Sequence, residues 1–465
     1  MALRRREFLC RTGLASLAAL AAGAWPRFAR GEFAFPKVAH VHHGRAAKWP
    51  RTTGLYRDHV DQSLVTRMLD EAVRALKGGT ADQAWQRVFA LGSNATRTLA
   101  IKVNCNNSND PTDGAGAEID ALPEPVIAVI RGFLRAGGTA ARCHVYDLTS
   151  STGGDHRHVA TWFRNRVLAA CPGVQFRDEA VNKGGTYNAR THVTWSAGYA
   201  AKPPVTRIFD LVRQADYLVN VPIVKRHIGA GSTLGYKNHF GSIENCGYLH
   251  DYVFNDTANA SVMADILGSP YVPGDPTVRT LAQKTVLTVG DMLYGQPCKN
   301  FDLVPEPWKT FGNEWPNSLV VSSDPVAADS VMIDLLEAEP AATGCGVIPT
   351  WGRRHLTFAQ ARGQGVHDHI VLSPGERFDP AHMAYTKIDY QYLDLWPGGA
   401  DLRVSRTADG RAKLDWQHYF GGRFDILRAA RADFSDAVVV GTTYANSWTD
   451  SSPAAPWFYR VDFAG

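Results

Sequence analysis

The chain has 465 residues and a formal net charge of +4, with 45% hydrophobic and 20% charged residues. This length exceeds what one core usually serves, so we expect two domains once any signal segment is removed. The composition is ordinary for a soluble globular protein, and so small a net charge gives no support for nucleic-acid binding.

Residues 1–31 resemble a twin-arginine export signal. The segment RRREFL at residues 4–9 matches that pattern, and the apolar stretch at residues 13–24 follows it. Because this stretch is too short to span a bilayer, we expect cleavage near residues 24–31 and no permanent membrane span. An uncleaved N-terminal anchor is the alternative. The resemblance implies transport of the folded protein by the twin-arginine translocation machinery, to the periplasm or the extracellular space.

Seven cysteines are present, and one of them, Cys10, lies in the signal segment. The other six are widely spaced and none forms a C-x-x-C pair. A zinc knuckle or a ferredoxin-type cluster therefore has no local support. We expect most of these cysteines to be buried thiols, with room for one or two disulfides in an exported chain.

Strands and helices alternate along most of the chain. A short strand carries His40 and His42 on one face, either as a metal pair or as a solvated edge cluster. The elements expected after it are helix 61–76, strand 98–103, a helix from 125, strand 141–146, helix 160–170, strands 174–176, 217–224, 284–289 and 318–321, and helix 326–336. This alternation predicts an α/β fold over residues 37–390, with a mostly parallel sheet and helices on both faces.

Polar side chains stand at or just past the carboxyl ends of the predicted strands: Lys102, Asn104, Asp147, Lys225, His227 and Asp291. Open parallel sheets bind ligands at this edge, so we expect these side chains to converge on one site. Any one of them alone would more often be a turn or cap residue. We assign ligand binding to Lys102, Asn104, Asp147, Asn238 and Asp324.

The central stretch runs from residue 216 to residue 246. An apolar strand delivers Lys225, Arg226 and His227, and the glycine-rich segment at residues 229–235 leads to a second polar cluster that starts at Lys237. Backbone N–H groups of a glycine loop can bind an anion. The loop fits neither the dinucleotide nor the Walker pattern, so nucleotide binding has weak support.

Lysine and arginine side chains in this stretch suit a phosphate, sulfate or carboxylate ligand. We assign catalysis to Lys225, His227, Lys237 and Asp291. His227 would serve as general acid or base, oriented by Asp291 or by Asp147. A desolvated Lys225 or Lys237 would serve as base or nucleophile.

A metal ion held by His227, His239 and His250 is the alternative chemistry for this stretch. The spacings between these histidines fit no standard ligand motif. Apart from this metal ion, the cofactor is unknown from the sequence.

Five segments occur in the order seen in the domain of unknown function 362 family, which this chain resembles over roughly residues 37–375. They are the K-x-N strand end at Lys102, the helix opening at Pro125, VNVPIVKRH ending at His227, the K-N-x-F-G match from Lys237 to Gly241, and DPVAAD from Asp324 to Asp329. Tyr236 stands where the family commonly has leucine. The resemblance implies an α/β domain and little about chemistry. Relatives often carry a ferredoxin-like segment, whose pattern is not found in this sequence.

Residues 396–465 differ in kind from the rest of the chain. Short alternating segments separated by turn residues predict an antiparallel β-sandwich, and their order resembles a fibronectin type III module. In that resemblance Trp416 is the core tryptophan and Tyr459 the corner tyrosine. Such modules usually act as spacers or binding modules.

The sequence leaves three functions open. The first is an exported enzyme that acts on an anionic small molecule or sugar. The second is a non-catalytic exported protein that binds a ligand, polymer or surface. The third is a redox protein associated with a metal or an iron–sulfur cluster. Whether the chain is an enzyme is not decided by its residues alone.

Overall fold

The computed structural model describes residues 35–92, 94–108, 112, 116–148, 158–178, 187–227, 230–244, 246–253, 259–272, 278–298, 304–343, 348, 350–370, 378–395, 402–416, 424–431, 434–445, 447–452 and 457–463. The proposed export signal, residues 1–31, lies outside the described residues. Among the described helices, none is both long and apolar enough to cross a membrane.

The described strands are, in chain order, β1 (Lys37–His42), β2 (Leu99–Lys102), β3 (Cys143–Asp147), β4 (Gln175–Asp178), β5 (Tyr187–His192), β6 (Arg207–Phe209), β7 (Tyr217–Asn220), β8 (Ile223–His227), β9 (Gly231–Thr233), β10 (Thr285–Gln296), β11 (Ser318–Ser322), β12 (Asp389–Asp394), β13 (Arg403–Arg406), β14 (Ala412–Asp415), β15 (Phe424–Ala429), β16 (Val438–Thr443), β17 (Ser447–Thr449) and β18 (Phe458–Phe463).

The described α-helices are α1 (Gln62–Lys77), α2 (Ala81–Phe89), α3 (Pro123–Arg135), α4 (Thr161–Ala170), α5 (Asp210–Gln214), α6 (Gly235–Asn238), α7 (His250–Val253), α8 (Val262–Gly268), α9 (Leu281–Lys284), α10 (Pro325–Thr343) and α11 (Arg354–Ala361).

The main sheet has the strand order β12-β1-β11-β10-β7-β2-β3-β4. Neighbouring strands from β10 to β4 are parallel, whereas β11 is antiparallel to both β10 and β1. The carboxyl ends of β2, β3 and β7 therefore meet at one edge of the sheet. This arrangement confirms the predicted α/β fold with a mostly parallel sheet.

Helices cover both faces of the sheet because successive strand residues point to opposite sides. Ile101 and Val219 join one hydrophobic core with residues of α1 and α3. Their sequence neighbours Ala100 and Leu218 join a second core with residues of α8 and α10. Burial on both faces explains why β2 and β7 are apolar along nearly their whole length.

The first long helix illustrates how local sequence sets a boundary. The Asp61 carboxylate accepts hydrogen bonds from the backbone N–H groups of Ser63 and Leu64, and α1 begins at the next residue, Gln62. Gly78, with φ of 71°, follows the last helical residue. The predicted helix at residues 61–76 is confirmed to within one residue.

Two expectations in the central stretch were wrong in detail. The strand predicted at residues 217–224 is two strands, β7 and β8, separated at Pro222, which has no N–H to continue the ladder. The carbonyl of Pro222 instead accepts a hydrogen bond from the backbone of Asp291, 2.8 Å away. Part of the glycine-rich loop is β9, which pairs antiparallel with β8.

Strand β10 is longer than predicted and runs through Asp291 to Gln296. Asp291 therefore lies within a strand rather than past its end. His40 and His42 do share a strand, but both are buried, so the solvated edge cluster was wrong. Tyr390 and Asp394 of the neighbouring β12 bond to their rings.

Strands β13 to β18 form two small antiparallel sheets, β13-β14-β17 and β16-β15-β18. Trp416 lies in their buried core, where its ring packs edge-on against Phe424. The hydroxyl of Tyr459 donates to Asp450 over 2.8 Å. The predicted small all-β module is therefore present.

Cys298 is disulfide-bonded. The described cysteines outside any disulfide are Cys105, Cys143, Cys171 and Cys246, and all four are buried. The structure thus contains buried free thiols and a disulfide-bonded cysteine, both of which the sequence allowed.

Candidate functional site

The carboxyl ends of β2 and β3 place a buried ion pair at the edge of the sheet. Lys102 Nζ lies 2.9 Å from Asp147 Oδ1, and both side chains are almost completely shielded from water. The second carboxylate oxygen, Asp147 Oδ2, accepts a hydrogen bond from the backbone N–H of Cys105. Such a pair is stable only when its remaining hydrogen-bonding capacity is satisfied, as it is here.

A chain of amide hydrogen bonds links this ion pair to the next strand. Lys102 Nζ donates to Asn238 Oδ1 over 3.2 Å, and Asn238 Nδ2 donates to Asn220 Oδ1 over 2.7 Å. Asn220 Nδ2 in turn donates to the carbonyl of Gly235 over 2.8 Å. Both amide side chains are buried, so the network sets the position of the short helix α6 against the sheet.

Asp329 in α10 holds the other end of α6. Its carboxylate accepts hydrogen bonds from the backbone N–H groups of Gly235 and Tyr236, over 2.8 and 2.9 Å. A Cβ atom at Gly235 would lie 2.7 Å from Asp329 Oδ1, so this close approach requires glycine. Burial raises the pKa of Asp329 to about 7.

Gly241 makes room for the ion pair. A Cβ atom there would lie 2.1 Å from Asp147 Oδ1 and 2.5 Å from Lys102 Cε. The Gly241 carbonyl also accepts a hydrogen bond from the backbone of Leu148, just past β3. The glycine of the K-N-x-F-G segment is therefore required by packing against Lys102 and Asp147.

Lys237 projects from α6 into a different environment. Its Nζ lies 3.2 Å from His250 Nε2 and 3.6 Å from the centre of the Phe240 ring. No carboxylate within the described residues pairs with this amine, which is 8% exposed. Burial lowers the pKa of Lys237 to about 7. Cys246 and, more weakly, Asp147 oppose this shift, whereas the charges of Lys102 and Lys225 act in the same direction as burial.

His250 and His227 lie beside this lysine as neutral rings. The rings stack with 5.8 Å between centroids, and both side chains are half-buried. The positive charge of Lys237, followed by burial, lowers the pKa of His250 to about 4. Burial, followed by the charges of Lys237, His250 and Lys225, lowers the pKa of His227 to about 2.

Backbone contacts set the tautomers of both histidines. The N–H of Ala230 donates to His227 Nδ1 over 3.0 Å, so the hydrogen of this neutral ring is on Nε2. His250 Nδ1 lies 3.2 Å from the carbonyl of Gly247, an acceptor, so Nδ1 carries the hydrogen. His250 Nε2 is therefore free to accept a hydrogen bond from Lys237.

The third lysine, Lys225, is buried on β8, and its positive charge favours the ionised form of Asp120. Burial raises the pKa of Asp120, while Ser108 and the charge of Lys225 favour its ionised form. The Asp120 carboxylate accepts hydrogen bonds from the Ser108 hydroxyl and the Asn107 backbone. Sequence reasoning missed Asp120, because it precedes a helix and follows no predicted strand.

Three other predicted site residues have structural contacts. Asp291 accepts from the backbone N–H groups of Leu122 and Leu293, and burial raises its pKa to about 7. Asp324 accepts from Val326, Ala327 and Val366, as expected of a residue that starts a helix. Asn104 Oδ1 accepts from the backbone of Asn106 over 3.2 Å. Their roles in binding or catalysis stay predictions.

The three histidines predicted to hold a metal are not brought together. Within the described residues, their ligand atoms are not among those that lie within 4.8 Å of one another. His239 Nδ1 instead bonds to the Ser242 hydroxyl at 2.9 Å, and that hydroxyl also bonds to Tyr146. The three histidines do not form one close ligand group here, and their role as metal ligands stays a prediction.

A different group, Asp334, Glu337 and His369, does meet the distance requirement for a metal ion. Arg353 already bonds to both carboxylates, and it lies 2.7 Å from Asp334 Oδ1. Its guanidinium supplies the positive charge that these acids need. We read this group as an ion-pair network.

The family model described as Domain of unknown function (DUF362) matches residues 99–334, just over half of the chain. The match spans β2 to α10 and so includes the three lysines, the aspartates and the histidines described above: Lys102, Lys225, Lys237, Asp120, Asp147, Asp291, Asp324, Asp329, His227, His239 and His250. It confirms the resemblance predicted from the sequence motifs. No curated protein matches this chain.

Proposed function

We propose that this chain, which belongs to the family described as domain of unknown function (DUF362), binds a small anionic molecule at the carboxyl edge of its parallel strands and acts on it as an enzyme. The observation that carries the proposal is that Lys102, Lys225 and Lys237 are all buried, with the charges of Lys102 and Lys225 close enough to lower the pKa of Lys237. Parallel sheets bind ligands at this edge in general.

The balance of charge supports an anionic ligand. Lys102 pairs with Asp147, and Lys225 favours the ionised form of Asp120. No carboxylate among the described residues forms an ion pair with Lys237, on which Asp147 acts only weakly. A buried ammonium without a counter-ion costs several kcal/mol, and a bound anion would supply the missing charge. The site is therefore expected to favour an anion over a neutral ligand.

The neighbouring histidines support catalysis. His227 and His250 are neutral at pH 7, and the backbone sets which nitrogen of each ring carries the hydrogen. Groups of this kind can accept and return a proton during a reaction. In the alternative function the same pocket binds an anion without turnover.

We further propose that the protein acts after export and that residues 396–465 serve as a fibronectin type III-like spacer or attachment module. The twin-arginine pattern at residues 4–9 supports export. The disulfide at Cys298 adds support, because disulfides persist in oxidising compartments. The two small antiparallel sheets agree with a β-sandwich module.

Calorimetry with phosphate, sulfate and small carboxylates tests the anion site. The wild-type protein is expected to bind at least one class, and Lys225→Met should weaken binding about tenfold or more. Lys284→Met is the matched control, because Lys284 is also buried but bonds to the carbonyls of Val212 and Arg213. Absence of anion binding, or equal weakening by the control, would contradict the proposal.

His227→Ala separates the enzyme from the binding protein. If the chain is an enzyme, this substitution should abolish turnover of the anion found by calorimetry and leave its affinity within about threefold. Equal loss of affinity and activity, or no turnover by the wild-type protein, would favour the non-catalytic function.

A further inference from the structure

Lys237 differs from every other buried lysine of the site in its surroundings. Lys102 forms an ion pair with Asp147, and the charge of Lys225 favours the ionised form of Asp120. The Lys237 amine contacts an imidazole nitrogen and the face of Phe240. A desolvated lysine beside other cations is the environment in which an amine becomes a nucleophile at neutral pH.

We propose that the Lys237 amine forms an imine with the carbonyl carbon of a small anionic carbonyl compound, the simplest being an oxo acid. This inference rests on the proposed anion site, because the charges of Lys102 and Lys225 would attract the anionic group next to the carbonyl. To the proposed function it adds the substrate class, a small anionic carbonyl compound, and the reacting atom, Nζ of Lys237.

The chemistry is a condensation that needs no oxidant or reductant. The Nζ lone pair attacks the carbonyl carbon, a C–N bond forms, and the carbonyl oxygen becomes a hydroxyl. Both hydrogens of the amine leave with that oxygen as one water molecule when the C–O bond breaks. The product is an imine at Lys237, which takes up a proton to become the electrophilic iminium ion.

The histidine pair suits the proton transfers of this condensation. His250 Nε2, 3.2 Å from Nζ, can accept a proton that the amine releases. Once protonated, His250 can return this proton to the departing hydroxyl. The Nε2–H of His227, whose ring stacks on His250, can donate a hydrogen bond to that oxygen. The low pKa of Lys237, about 7, agrees with a substantial share of free amine at neutral pH.

Reductive trapping tests the imine directly. The full chain is incubated with glyoxylate and borohydride, which converts an imine at lysine into a stable carboxymethyl amine, and labelled peptides are mapped by mass spectrometry. We expect labelling at Lys237 at least tenfold faster than at the exposed Lys37 and Lys387. A parallel arm with glycolaldehyde phosphate shows whether a carboxylate or a phosphate is preferred.

Variants identify the reacting amine. Lys237→Arg keeps the cation but cannot form the imine, so it should lose the fast label. Lys237→Gln provides a second variant if the arginine is not accommodated. Lys284→Arg should label at the wild-type rate, because Lys284 is buried elsewhere. Fast labelling that survives in both folded Lys237 variants would overturn the inference.

Anion binding and imine trapping are measured independently, so failure of one can be distinguished from failure of the other. Calorimetric binding of acetate, which has no electrophilic carbonyl, reports the anion site alone. Acetate binding without fast labelling by either carbonyl compound would overturn the imine and leave the proposed function standing. Loss of both signals in the folded wild-type protein would overturn the imine and the anion site together.

Discussion

The Nζ of Lys237 lies 3.2 Å from Nε2 of His250, and the backbone carbonyl of Gly247 bonds to the other nitrogen of that ring. The lysine is thus held by a neutral acceptor instead of a carboxylate. This relationship distinguishes Lys237 from Lys102, which is paired with Asp147, and it leads to predictions about charge, packing and pH.

Removing the Lys237 charge should raise the pKa of His250. The lysine is the largest cause that lowers this pKa to about 4, and burial is the second. In Lys237→Gln the pKa of His250 should therefore rise toward 6.5 without reaching it. The ring proton signals of His250, followed by NMR from pH 3 to pH 8, measure the change. An unchanged titration, with Lys284→Gln as control, would contradict the assigned contact.

Gly241→Ala should break the buried ion pair. The new Cβ would overlap Asp147 and Lys102, so we expect a loss of about 2–4 kcal/mol in the free energy of unfolding. Urea denaturation measures this loss. Gly363→Ala is the control, because a Cβ there meets no atom within 4 Å and only its positive φ is unfavourable, at about 1–2 kcal/mol. Equal losses in the two variants would argue against the packing role of Gly241.

Asp324→Ala should separate stability from ligand binding. The substitution removes an acceptor for three backbone N–H groups and should cost about 1–3 kcal/mol. Because the contacts of Asp324 are with the start of α10 and with Val366, anion affinity measured by calorimetry should change less than twofold. A large loss of affinity in the folded variant would instead support the predicted ligand-binding role of Asp324.

Asp291→Asn should change the pH dependence of stability. The folded-state pKa of Asp291 is about 7, above its ordinary value of 3.8, so the folded protein binds more protons than the unfolded chain between these values. Its contribution to stability is therefore present at low pH and is lost as pH rises toward 7, by a few kcal/mol at most. In the variant, the unfolding free energy should fall less between pH 4 and pH 7. The same slope in both proteins would show that Asp291 does not titrate in this range.

Replacing Arg5 and Arg6 with lysine should block export. The twin-arginine pattern requires the arginine pair, so the double variant should remain in the cytoplasmic fraction of the native host. Immunoblots of cell fractions measure the distribution, with Lys37→Arg as an unrelated control. Equal export of the double variant would exclude this route.

Much of the fold follows from periodicity and local signals. The local sequence predicts the apolar strands β2 and β7. It also predicts the boundaries of α1 at Asp61 and Gly78. Convergence of Lys102 and Asp147 also follows, because parallel strands bring their carboxyl ends to one edge. These features need no knowledge of distant contacts.

The remaining features depend on contacts between distant parts of the chain. Asp329 accepts a hydrogen bond from Gly235, which lies 94 residues away in the sequence. The residues around these two positions do not predict that bond. Asp120 precedes α3 and follows no predicted strand, so its sequence position did not indicate its contact with the site. The spacing of His227, His239 and His250 says nothing about the orientation of their rings. The contact of His239 with Ser242 can be seen only in the folded structure.

Proton uptake on anion binding tests the central claim, an anion site beside an amine of lowered pKa, most directly. Acetate binding is titrated at pH 8 in buffers of different ionisation enthalpy. We predict uptake of a substantial fraction of a proton by the wild-type protein, because a bound anion raises the pKa of Lys237 from about 7. Lys237→Arg, which is always charged, should bind acetate with almost no uptake. Equal uptake in both proteins, or no binding of acetate, phosphate or sulfate by the wild-type protein, would contradict the site.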